Sequence, residues 1–156
     1  MINDKSATGI SIVTGSRPPD VELATAGTNR KVRLQRLTLN LTKFTVLVCA
    51  GNSDLTSPLL LKLENYLQSD KDLTSHPAIE WLTISTVVRP SAFESLGMDP
   101  FGNTYYDPDN LAHKEFRVLC EDGAVVILRP DGLVGSAGRI DGPWIRGYLS
   151  NILHLR

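Results

Sequence analysis

The sequence is poor in most features that announce a function. Its 156 residues include only two cysteines, Cys49 and Cys120, far apart, so there is no CxxC redox pair and no four-cysteine zinc site. The three histidines, His76, His113 and His154, share no metal-ligand spacing, and no metal site is expected. Neither sign of charge dominates. Sixteen Lys and Arg face 17 Asp and Glu, a net charge of −1, which leaves no basic field to hold a nucleic-acid backbone. The apolar runs at 46–50, 59–61 and 124–128 fall far short of the ~20 residues a membrane-spanning helix needs. The opening stretch carries Asn3, Asp4 and Lys5 and no apolar secretory core, so a cytoplasmic location is expected. No repeat is visible, and no GxGxxG loop follows a strand, so no dinucleotide cofactor is expected.

What is present is an ordinary globular composition, 42% hydrophobic and 21% charged. Residues 1–31 are polar and broken by Gly and Pro, which reads as an irregular arm with short extended pieces at 10–13 and, just beyond it, 32–34. Residues 32–156 read as a single globular unit. The segment 43–50 is apolar on both alternating faces, the signature of a central buried strand, and Cys49 there reads as packing. Gly51-Asn52-Ser53-Asp54 ends it. Leu59, Leu60, Leu63, Tyr66 and Leu67 then recur at helical spacing across 55–68, with Pro58 placed in the first turn. A second strand is expected over 81–88, between Pro77 and Pro90.

Beyond it the pattern predicts a helical turn at 92–96, a short extended piece at 104–106, and a short helix to Phe116 capped by Asp109. Residues 124–128 and 133–134 flank the turn Arg129-Pro130-Asp131-Gly132 and predict a hairpin. Residues 135–142 read as a glycine-rich loop. A last helix, 143–155, is capped by Asp141 and carries Trp144, Tyr148, Leu149, Ile152 and Leu153 on one stripe. A βαβ unit with a right-handed crossover followed by a ββα unit is the thioredoxin-like arrangement, an α/β fold with a central mixed sheet flanked by helices, here without CxxC.

Several segments carry a family resemblance. Gly15-Ser16-Arg17-Pro18-Pro19-Asp20-Val21 with Val32-Arg33-Leu34-Gln35-Arg36-Leu37, the strand 44–51, Tyr105-Tyr106-Asp107-Pro108-Asp109 with Ala112-His113, and Val126-Ile127-Leu128-Arg129-Pro130-Asp131-Gly132-Leu133-Val134-Gly135 are together similar to the C-terminal domain of phenol 2-monooxygenase-type FAD-dependent aromatic hydroxylases. The resemblance spans roughly residues 9–154. It implies a thioredoxin-like domain without redox cysteines that packs on flavin domains and helps form a dimer. The chain departs from that family in lacking the flavin machinery, and in Gly135-Ser136-Ala137-Gly138 where many relatives carry an aromatic-Arg pair. The chain reads as free-standing or as an excised piece, and flavin hydroxylation is not carried over to it.

Two functional readings stay open. In the first, the chain is a non-redox binding or dimerisation module in aromatic or polyketide-type secondary metabolism, acting as a homodimer or with a flavoprotein, and with no nucleic-acid or membrane partner. In the second, it is a cofactor-free isomerase or cyclase acting on an aromatic or polyketide-derived small molecule. His113 would be its general base, oriented by Asp109 four residues earlier, with Tyr105 or Tyr106 as electrophile. The plainer alternative for Asp109 and His113 is a cap with a surface histidine. Asn52 and Ser53 open the first long helix, where redox relatives carry a nucleophilic cysteine, and could hold an anionic ligand; the plainer alternative is an ordinary cap. Arg129 and Asp131 are explained by the turn itself.

Overall fold

The computed structural model describes residues 14–25, 30–38, 42–89 and 91–155. The extended piece expected at 10–13 lies outside them. The elements run β1 (Glu22–Thr25), β2 (Lys31–Arg33), α1 (Leu34–Leu37), β3 (Phe44–Gly51), α2 (Ser53–Gln68), α3 (Lys71–Ser75), β4 (Ile79–Ser85), α4 (Ala92–Leu96), β5 (Asn103–Tyr106), α5 (Leu111–Glu115), β6 (Ala124–Leu128), β7 (Val134–Gly138) and α6 (Gly142–Leu153). One seven-stranded sheet has the order β2-β1-β5-β4-β3-β6-β7.

The centre of this sheet follows the sequence pattern. Every residue of β3 is buried, as a strand with apolar groups on both faces requires. β3 and β4 pair in parallel across the α2 crossover, from Phe44 opposite Ile79 onward, and β6 joins β3 antiparallel with Val46 opposite Ile127. The alternation of β3 divides the core in two. Phe44, Val46, Val48 and Ala50 meet Leu60, Leu63, Leu67, Ile145 and Leu149 of α2 and α6. Leu47 and Cys49 face Val21, Leu23, Leu34, Ala112 and Phe116 on the other side. At ~25 cal/mol per Å² of apolar area removed from water, this burial is the main driving force of folding.

The edges correct the expectations. β1 pairs with β2 and with β5, so the sheet takes in Glu22–Thr25 and Lys31 from the segment expected to be an irregular arm, and β2 forms one of its two edges. α2 begins at Ser53, so Pro58 lies in its second turn rather than its first; it has no N–H to offer the Asp54 carbonyl. The glycine-rich segment after the hairpin continues as β7 rather than a loop. Side chains on Gly135 and Gly138 would run into the Tyr148 hydroxyl and the Trp144 ring, so these glycines let α6 lie close on the strand. The hairpin turn and the Asp141 cap form as expected: Gly132 N–H donates to the Arg129 carbonyl at 2.8 Å, and Asp141 accepts from Trp144 N–H at 3.0 Å. Arg146 Nη1 donates to both carboxylate oxygens of Asp70, at 2.8 and 2.7 Å, and ties α6 to the start of α3, a helix the pattern had not indicated.

Two left-handed glycines offer a matched test. Gly97 (φ 76°) and Gly102 (φ 71°) share a backbone conformation, but a Cβ at Gly97 meets nothing while one at Gly102 meets the Trp81 carbonyl. Gly97→Ala is expected to cost about 1–2 kcal/mol of conformational strain. Gly102→Ala should cost about 1–3 kcal/mol beyond that because backbone must move. Urea denaturation of the two variants measures the difference.

Candidate functional site

The carboxyl ends of β3 and β4 gather the polar groups of the fold. β3 closes on Gly51 in a left-handed conformation (φ 63°) after a register shift against β4. Both backbone groups of Gly51 are engaged. Its carbonyl accepts from Thr86 N–H at 3.2 Å and from the Thr86 hydroxyl at 2.8 Å. Its N–H donates to His113 Nε2 at 3.0 Å across 62 residues of sequence. A Cβ at Gly51 would strike the Cys120 carbonyl, and the next residue, Asn52, donates its N–H to that same carbonyl at 2.8 Å.

His113 is 1% exposed, and its other ring nitrogen, Nδ1, lies 2.9 Å from Asp107 Oδ2. Because Nε2 accepts from Gly51, the proton sits on Nδ1 and is donated to Asp107. The carboxylate also receives Ala112 N–H at 3.0 Å on Oδ1 and His113 N–H at 2.9 Å on Oδ2. Burial raises the Asp107 carboxyl, but the His113 ring and these two amides more than offset it, and the group is held below its ordinary value.

This arrangement corrects the pairing expected for His113. Asp109 is exposed and lies before the helix, so the i, i+4 geometry invoked for it does not apply. Nor is it the cap of α5. The N-cap position is Asn110, left-handed at φ 60° and without a side-chain cap bond, and Asp107 takes the free amides instead. With Nε2 filled by Gly51 and Nδ1 by Asp107, His113 has no lone pair left to remove a substrate proton. The tyrosines leave in different directions. The Tyr106 hydroxyl, on a side chain 2% exposed, donates to the Arg89 carbonyl at 3.1 Å, whereas Tyr105 packs on the Phe116 side of the sheet. Burial pushes both phenols up.

Asn52 and Ser53 are likewise spent on structure. Asn52 Oδ1 accepts from Asp54 N–H at 3.1 Å. The Ser53 hydroxyl donates to the Ser95 carbonyl of α4, and the Thr56 hydroxyl to the Ala50 carbonyl at 2.6 Å. The cysteines are both free. Burial first, and then the Asp107 charge, push the Cys49 thiol up to about 12; burial, Asp107 and Glu121 also raise Cys120. Among the described residues no three His, Cys, Asp or Glu side chains group to hold a metal ion, and no helix is long and apolar enough to cross a membrane. Two surface clefts lie elsewhere. One of about 400 Å³ is bounded by Phe44, Arg129 and Tyr148, the other of about 360 Å³ by Trp81, Phe101 and Lys71. Sequence reasoning missed Asp107 and Gly51. A signal existed in the aspartate that directly follows the β-forming Tyr105-Tyr106 and precedes Pro108.

Two changes test this site. Asp107→Asn removes the charge and one good acceptor from a buried network, and is expected to cost about 1–3 kcal/mol in denaturant unfolding. A carboxyl held below its ordinary value in the folded state contributes stability that is present above pH ~3.9 and drains away as pH falls through the folded-state value. Wild-type stability should therefore fall across that acidic window, and the fall should be shallower in Asp107→Asn.

No family model and no curated protein matches the chain. Solved structures do. It is similar to the reduced 2-Cys peroxiredoxin of Plasmodium vivax (19% identity, TM-score 0.61, 92% of this chain and 98% of that one). It is also similar to the thioredoxin domain of a thiol-disulfide oxidoreductase from Bacteroides vulgatus (16%, TM-score 0.59, 88% and 99%). The thiol peroxidase of Chromobacterium violaceum gives 17% identity and a TM-score of 0.65 over 93% of this chain and 90% of that one. At these identities the likeness establishes architecture and not activity. The chain has a thioredoxin-like fold whose two cysteines do not form a CxxC pair.

Proposed function

We propose that this chain is a thioredoxin-fold binding module that performs no thiol chemistry. In this reading it is related to the C-terminal domain of flavin-dependent aromatic hydroxylases, and it serves aromatic or polyketide-type metabolism by docking to a second copy or to a flavoprotein. The observation that carries the proposal is the state of the helix start after β3. A thiolate is the nucleophile in thiol peroxidases and disulfide oxidoreductases. Here Asn52, Ser53 and Asp54 occupy that helix start. Burial first, and then the Asp107 carboxylate, oppose thiolate formation at both Cys49 and Cys120. The nearby Asp107–His113–Gly51 chain of hydrogen bonds is closed, so the acid–base alternative loses its base. The Arg129-Pro130-Asp131-Gly132 turn and its flanking strands, part of the segment on which the resemblance was read, form the expected hairpin.

The thiols give the test. In the native protein at neutral pH, Cys49 should resist iodoacetamide until the chain is unfolded, and the protein should consume hydrogen peroxide no faster than an equal concentration of free cysteine. Fast alkylation of Cys49, or peroxide turnover sustained by dithiothreitol and lost in Cys49→Ser or Cys120→Ser, contradicts the proposal.

A further inference from the structure

α2 buries one face and leaves the other unusually apolar. Thr56, Leu60, Leu63 and Leu67 point into the core, while Leu55, Leu59 and Leu61 are 58%, 40% and 48% exposed. On a helix, residues four apart form ridges. Asp54, Pro58 and Lys62 make one such ridge, all three exposed. Leu55 and Leu59 lie on the ridge to one side, Leu61 on the ridge to the other. Neither the Asp54 carboxylate nor the Lys62 ammonium has an ion-pair partner within the described residues. The ridge thus has an acid at one end, a base at the other, and leucines beside its middle.

That pattern is complementary to itself when reversed. We infer that α2 is a self-association surface, pairing antiparallel with α2 of a second copy about a two-fold axis near Pro58. Asp54 and Lys62 are separated by about 12 Å of helix rise, with Pro58 midway. Reversal about Pro58 therefore sets Asp54 against the partner's Lys62 and Lys62 against the partner's Asp54. An isologous contact of this kind needs the same patch on both copies and no other sequence. A near-antiparallel crossing of about 20° keeps both charge pairs in reach and lets Leu55, Leu59 and Leu61 close over the axis. The Ser53–Ser95 bond holds α4, which carries the exposed Phe93 (57%), beside the start of α2. The inference rests on the binding-module reading and names the partner and the face.

Sedimentation velocity on the full chain across a micromolar concentration range tests it. Wild type is expected to dimerise, more weakly at raised salt. Asp54→Lys and Lys62→Glu each turn two attractive pairs into repulsive ones and should weaken the dimer about tenfold or more. The double variant Asp54→Lys/Lys62→Glu exchanges the two charges and should restore affinity to within about threefold of wild type. Leu59→Gln, which leaves the charges alone, should weaken it as well, with circular dichroism confirming the fold of each variant. A monomer at every concentration overturns the inference. So does a dimer indifferent to the charge reversals, or one not restored by the exchange. Neither result touches the thiol test, so the binding-module reading can survive the loss of this face, with a different protein as its partner.

Discussion

The imidazole of His113 is the bond on which this structure turns. It receives the Gly51 amide on one nitrogen and gives its proton to Asp107 from the other, so a strand end in the middle of the sheet is fastened to a short helix that comes after β5. The consequences extend from there. Asp107 collects the free amides at the start of α5, a helix of five residues with only this carboxylate as its cap. Gly51 must be glycine to pass the Cys120 carbonyl, and the loop before β6 is drawn onto the same strand end through Asn52. A buried polar network of this kind is stabilising only when each member is satisfied, and here each one named has its partner.

The same network bears on the two thiols of a scaffold shared with thiol enzymes. A buried carboxylate near the carboxyl end of β3 is a poor neighbour for a thiolate, and both cysteines feel it on top of their burial. The helix start that could gather an anion is filled with its own cap and with hydroxyls bonded to backbone carbonyls. Burial, charge and hydrogen bonding work in one direction. The polar groups named at the sheet end are bonded within the fold, while α2 carries Leu55, Leu59 and Leu61 exposed on its outer face.

The core was legible in the sequence because period is a strong signal. The two-faced apolar run of β3, the helical spacing of Leu60, Leu63 and Leu67, and the Pro-Asp-Gly turn each have a single physical solution. The edges were not. β1 and β2 are short and half exposed, so their pairing comes from neighbours far away in the chain rather than from their own pattern. The Gly135–Gly138 segment reads as a loop until the rings of Tyr148 and Trp144 supply a reason for its glycines. The site was half read. His113 reads from the sequence as a general base, or more plainly as a surface histidine, linked to Asp109 by the i, i+4 rule, which holds only inside a helix. The left-handed Asn110 turns the chain before α5 begins and brings Asp107 under the ring instead.

The central claim is that His113 is a fully bonded neutral wedge between Gly51 and Asp107. Long-range ¹H–¹⁵N correlation spectra of the imidazole at neutral pH test it most directly. The account predicts a protonated Nδ1, an unprotonated Nε2, and a Gly51 amide that exchanges with solvent only on the slow timescale of global opening. A proton on Nε2, or a Gly51 amide that exchanges as fast as a surface loop, would contradict it.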